Sequence, residues 1–169
     1  VTKKAGILPG GYGIGVLVGD CDNDGFADIF ETHYGTNRLY HNNGNGTFTE
    51  VAQQAGVADT GFFVGACFLD FDNDGKLDLF VGQYVEYDDD YNRQHGQVNN
   101  FPGPLAYPPT LSQLYRNLGN GRFTNVTAAA GIKAKGRVMG VGSFDYDDDG
   151  WPDIFISNDA MENHLLHNL

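Results

Sequence analysis

One nine-residue pattern, Asp-x-Asp-x-Asp-Gly-x-x-Asp, occurs three times in this 169-residue chain, starting at Asp20, Asp70 and Asp145. The starts lie 50 and 75 residues apart, and each copy carries its flanks with it. "GVLVGD", "ACFLDF" and "GVGSFDY" run into the loops; "ADIFETHY", "LDLFVGQYV" and "PDIFISN" leave them. Further on, "NRLYHN", "SQLYRN" and "NHLLHN" correspond, as do "GTFTEVA" and "GRFTNVT". Self-similarity at this period restricts the chain to stacked or radial repeat architectures, in which one unit buries its faces only against its neighbours. The 25-residue excess in the second spacing is an insertion near residues 86–111.

Each copy reads as four short strands with alternating apolar residues. Asn45-Gly46 and Asn120-Gly121 fall between the third and fourth, where a type I′ hairpin needs positive φ at both positions. Four strands per 40–50 residues describe a β-propeller blade. The expected fold is therefore all-β, with three four-stranded antiparallel repeats near residues 8–57, 58–132 and 133–169. All of residues 1–169 form one propeller module or part of one. "VTKKAGI" at residues 1–7 matches "VAQQAGV" and "VTAAAGI", which follow strand four. It is expected to be a fourth strand, completing a last blade split between the two ends. Three blades fall short of the usual four to eight. A homo-oligomer or a longer propeller is expected: two copies give six blades, and a contact that does not close gives a fibre.

Like charges packed this tightly need a cation among them. In the loop positions one to nine, aspartates at one, three and five curl around an ion and the glycine at six permits the turn. The carbonyl at seven then faces the ion, and the aspartate at nine binds through both oxygens. The candidate ligands are Asp20, Asp22, Asp24, Phe26 and Asp28; Asp70, Asp72, Asp74, Lys76 and Asp78; and Asp145, Asp147, Asp149, Trp151 and Asp153. An all-oxygen set suits Ca2+, about three ions in total; softer metals want Cys or His, and Mg2+ tolerates such a cage poorly. An EF-hand would need helices and a glutamate at position twelve, where Glu31, Val81 and Ile156 stand. Turn propensity alone accounts for one or two such residues, not for five fixed positions recurring three times. The closed cage points to a structural ion, since a catalytic one keeps an open position.

The net charge is −12, from 22 acidic and 10 basic residues. The twelve loop aspartates hold that whole excess, so nucleic acid is not an expected partner. No run approaches the ~20 apolar residues of a membrane span. No signal-peptide pattern opens the chain, which fits a mature chain, a fragment or a cytosolic protein.

Cys21 and Cys67 occupy different repeat positions and are expected as buried free thiols, with a disulfide as the alternative. His41 and His167 share a repeat position with Arg116, which suggests a repeated surface or inter-blade role. His33, His95 and His164 have no nucleophile motif beside them. "GGYGIGVLVG" is no dinucleotide loop, because a strand follows it; its glycines let the first strand pack at a crowded centre. The insertion holds four prolines with Tyr87, Tyr91, Phe101 and Tyr107, either to bind a sugar or peptide or to cover a blade edge or the channel. Asp88-Asp89-Asp90 reads as a further ion site or a solvated run. Asn45 and Asn125 begin glycosylation sequons.

"DFDNDGKLDLFV" followed by "LYRNLGNGRFTNVTAAAGI" resembles an FG-GAP/VCBS repeat, as in integrin α-subunit propellers and many bacterial secreted proteins. The inserted "FPGPLAYPPTLSQLYRN" is similar to the ASPIC/UnbV-associated group, which includes cartilage acidic protein. The resemblance implies an extracellular, non-enzymatic, calcium-binding propeller working in adhesion, recognition or assembly, with a protein, a glycan or another copy of the chain as partner. It also implies about seven blades in one chain, where three stand here. Two other readings stay open: a piece of a calcium-dependent polysaccharide-active enzyme, and a fibre subunit that exchanges its N-terminal strand.

Overall fold

A computed structural model describes residues 1–88, 90–91, 94 and 102–169. The first blade runs β1 Tyr12–Gly19, β2 Asp28–Thr36, β3 Arg38–Asn42 and β4 Phe48–Glu50, each strand antiparallel to the next. A single helical turn, α1 Ala52–Ala55, leads to the second blade. That blade consists of β5 Thr60–Leu69, β6 Asp78–Gln83, β8 Gln113–Gly119 and β9 Arg122–Asn125, with the two-residue β7 Thr110–Leu111 just before β8. After β10 Lys135–Gly136, which pairs with β7, the third sheet is β11 Val138–Phe144, β12 Asp153–Asn158 and β13 His164–Leu166. The expected all-β blades are present, and the ends of β2 and β5 also pair, from Tyr34–Phe62 to Thr36–Thr60.

The two hairpins differ from one another. Asn120 and Gly121 both have positive φ (56° and 66°), as a two-residue type I′ turn requires. The first copy instead makes a five-residue connection, since β3 and β4 register at Asn42–Phe48. There Gly44 and Gly46 take positive φ, and Asn45 does not. The Asn45 carboxamide oxygen accepts from the Thr47 N–H at 3.1 Å, a side-chain turn that replaces the expected one.

The middle strands are buried at consecutive positions, as along β6, where Leu79 and Val81 face one neighbour and Phe80 the other, so the core lies between blades. One cluster joins Phe30, Leu39, Ala52 and Val57 to Phe63, Leu79, Val81, Tyr115 and Phe123, between blades one and two. A second joins Leu69, Phe80 and Leu114 to Val138, Ile154 and Ile156, between blades two and three. The first strands β1, β5 and β11 contact one another in turn. Glycine makes that approach possible: a Cβ on Gly15 would sit 2.4 Å from the Val64 carbonyl oxygen. The expected glycine-lined crowding of the first strands is thus realised.

Residues 1–7 are not a strand. They form one helical turn, with the Ala5 N–H on the Val1 carbonyl at 2.9 Å and Gly6 at φ 81°. The same turn closes the other copies: Ala55 bonds Val51, Ala130 bonds Val126, and Gly56 and Gly131 take φ 82° and 73°. The shared "AG" is therefore a left-handed helix stop, not the tail of strand four. The first two turns also rest on a neighbouring outer strand, for a Cβ on Gly6 would meet the Phe48 carbonyl and one on Gly56 the Phe123 carbonyl, whereas one on Gly131 meets nothing within 4 Å.

The described part of the insertion packs at the end of the blades opposite the Asp loops. Tyr87 sits edge-on to Tyr34 (5.4 Å between ring centroids) and near Tyr107 (5.2 Å). Arg137 donates to the carbonyls of Pro104 and Tyr107 at 3.1 and 3.0 Å. Those contacts make this part a cover spanning the blades. Asp89, His95 and Phe101 lie outside the described residues.

Candidate metal centres

Each Asp loop joins the first strand of a blade to the second, and the three copies adopt one conformation. The position-one carboxylate folds the loop back on itself: Asp20 accepts the N–H groups of Asp24 (3.1 Å) and Gly25 (2.8 Å). Asp70 and Asp145 do the same for Asp74 and Gly75, and for Asp149 and Gly150. The position-five carboxylates of Asp24, Asp74 and Asp149 accept from the N–H groups of Phe26, Lys76 and Trp151. Gly25, Gly75 and Gly150 lie at φ 83–92°, the sharp turn expected of position six.

The position-nine aspartates are tied in most firmly. Asp28, Asp78 and Asp153 are fully buried. One oxygen of each accepts the N–H at position two, from Cys21 (3.1 Å), Phe71 (3.0 Å) or Tyr146 (3.1 Å). The other accepts the N–H of Asn42 (2.8 Å), Asn117 (2.7 Å) or Asn168 (2.8 Å) at the end of strand three. These carboxylates thus hold loop and blade together, and the oxygen that accepts from the strand-three asparagine keeps a lone pair for a cation.

Carboxylate oxygens at positions one, three and nine come within 4.8 Å of one another in every copy: Asp20, Asp22 and Asp28; Asp70, Asp72 and Asp78; Asp145, Asp147 and Asp153. At position three, Asp22 Oδ1 and Asp72 Oδ1 are buried atoms with no hydrogen-bond partner. An orphaned carboxylate oxygen is costly unless a cation satisfies it. Burial, with Asp28 and Asp24 alongside, holds the Asp22 carboxyl above the usual range. Burial likewise pushes Asp78 up to about 6, against the pull of its two backbone donors. In both, burial is the main cause and the neighbouring carboxylates add to it. The donors at positions one, three and nine are all hard oxygens, which fits a calcium-like ion, while the position-five aspartates Asp24 and Asp149 group instead with Asp22 and His41 and with Asp147 and His167.

Three features were not assigned from the sequence. Position four is left-handed in every copy, at Asn23, Asn73 and Asp148 (φ 60°, 54° and 61°). From there the Asn23 and Asn73 carboxamides each donate to the next loop, to the Gly75 and Gly150 carbonyls at 3.1 Å. Asn117 donates to both the Leu77 carbonyl of its own loop and the Cys21 carbonyl of the preceding one (2.8 and 2.7 Å), and Asn168 reaches the Phe71 carbonyl (2.7 Å). The recurring Asn after strand three was the available signal. His41 Nδ1 lies 3.1 Å from Asp22, and His167 Nε2 lies 3.3 Å from Asp147; Arg116 Nε stands 2.7 Å from Asp72 at the same place. The shared position therefore faces the loop.

Both cysteines are free. The buried Cys21 thiol donates to Asp28 at 2.9 Å, and burial together with that carboxylate raises its pKa strongly. That is the reverse of what an activated nucleophile needs. Asp88 accepts from the Asp90 and Tyr91 N–H groups and so closes a local turn. Asn45 and Asn125 are both exposed.

No helix among the described residues is long and apolar enough to cross a membrane. The family profile described as FG-GAP-like repeat matches residues 20–81 and 105–156, which takes in all three loops. No curated protein matches the chain.

Proposed function

Because this chain belongs to the FG-GAP-like repeat family, we propose that it is a calcium-binding β-propeller module without catalytic activity, working outside the cell in recognition or assembly. The ions bind in the three Asp loops and act structurally. Asp20, Asp22, Asp24 and Asp28, with their counterparts in the other copies, supply the carboxylates; the carbonyls of Phe26, Lys76 and Trp151 complete the set. The observation that carries this reading is the pair of orphaned oxygens on Asp22 and Asp72, each within 4.8 Å of two further carboxylates. A divalent ion there neutralises the loop and fixes the turn between the first two strands of a blade. Differential scanning calorimetry tests it. At 100 times the dissociation constant each ion adds about 2.7 kcal/mol, so Tm rises with calcium. Asp20→Ala diminishes the rise, and a Tm indifferent to calcium and chelator overturns the reading.

The partner favoured by the packing is another blade, from a second copy or from a longer propeller of which these blades are part. Phe30, Phe80 and Phe155 are equivalent, as are Leu39, Leu114 and Leu165. The first two of each set are covered by the next blade (0% and 0%; 1% and 3% exposed), whereas Phe155 and Leu165 are 39% and 44% exposed. On the opposite side of the molecule Val16 and Val18 are exposed, at the positions of Ala66 and Phe68, which pack on blade one. The two free faces thus carry the residues that elsewhere meet each other. Joined head to tail, two copies give six blades, within the range that closes.

A further inference from the structure

The three loops share a backbone but differ in charge. At position seven, loop one has Phe26, loop three has Trp151, and loop two has Lys76, whose Nζ lies 2.7 Å from Asp74 Oδ2. At the strand-three position, loops one and three have histidine and loop two has Arg116. Its guanidinium sits 2.7 Å from Asp72 Oδ2 and 3.4 Å from Asp74 Oδ2. Two cations of the protein itself therefore stand on the position-three and position-five carboxylates of loop two. Loop three departs the other way, with Asp148 at position four where the others have Asn23 and Asn73. Counting the four pattern aspartates with these neighbours, loop two carries a formal −2, loop one −4 and loop three −5.

Resting on the calcium reading above, we propose that Arg116 and Lys76 are resident counter-ions that set loop two apart as a weak site, so that calcium fills loops one and three first and loop two last. Affinity of an oxygen cage rises with its count of uncompensated carboxylates, and a guanidinium cannot shed its charge as an ion approaches. Asp72 keeps Oδ1 unpartnered beneath the Arg116 contact on Oδ2, so loop two still offers an inward oxygen. It binds the ion, but against two positive neighbours. In the calcium-free protein those neighbours partly substitute for the ion, and blade two stays closed when the other loops loosen.

Isothermal titration with calcium tests the assignment on the whole chain. The expected result is two tight sites and one about tenfold weaker. Asp70→Asn removes the weak site and spares the tight pair; Asp145→Asn removes one of the pair. The double variant Lys76→Phe, Arg116→His gives loop two the residues of loop one. Both side chains are substantially exposed, 34% and 45%, so the fold tolerates the change, with far-UV circular dichroism as the check. Its weak site tightens to match the other two. Three equal sites in the wild type, or a weak site that survives Asp70→Asn or is unmoved by the double variant, overturns the inference and leaves the calcium reading standing. No binding heat at any loop overturns both.

Discussion

At the residue scale the asparagines after strand three do the least visible work. Asn117 is buried and bridges two loop carbonyls, in its own blade and in the one before. Asn117→Ala leaves both acceptors in a dry interior; a loss of about 3 kcal/mol is expected in urea unfolding, with the same deficit in calcium and in chelator. Asp78 gives the pH signature. Burial raises its folded pKa to about 6, so the native state holds a proton that the unfolded chain, with an ordinary carboxylate, has released. That contribution is fully present below about pH 4 and lost as the pH rises through 6. In chelator the wild type therefore gains stability relative to Asp78→Asn as pH falls from 7 to 5, as paired melting curves will read. Cys67, whose thiol burial pushes up to about 12, should alkylate at pH 8 only after denaturation. The aspartates were legible because residue type and spacing both recur. Asn117 was not: the Asn recurs after each strand three, but its partner Cys21 lies 96 residues away, and an Asn before a turn looks like turn chemistry.

At the element scale the strands were legible from alternation and the helix stops were not. "VAQQAGV" extends an alternating strand on paper, but Gly56 in the left-handed region ends a helical turn, so residues 1–7 inherit that turn. Crowding among the first strands gives a paired prediction. A Cβ on Gly15 would lie 2.4 Å from a backbone oxygen, whereas one on Gly142 meets nothing within 4 Å. Gly15→Ala should cost about 1–3 kcal/mol, and Gly142→Ala should stay within about 0.5 kcal/mol of the wild type, both by chemical denaturation. The bridge of β7 to β10 had no sequence signal, since two-residue strands carry no periodicity.

For the whole molecule, the free faces predict association with a direction. Phe155→Asp blocks one face and Val16→Asp the other. Either variant alone should run as a monomer in light scattering, because each contact needs both faces. An equimolar mixture should recover a two-chain species through the one intact pair of faces. A mixture that stays monomeric while the wild type associates excludes the head-to-tail arrangement. The clasps between loops run in the same direction. Asn23 gives its hydrogen to loop two and Asn73 to loop three, but the third loop has Asp148, a carboxylate with no N–H to give. A blade docked against β11–β13 therefore meets a rim without the position-four clasp, and the strand-three asparagine, Asn42, is left to reach across alone. Under tension an assembled ring would part first at that seam, unzipping at the subunit joint before any blade inside a subunit yields.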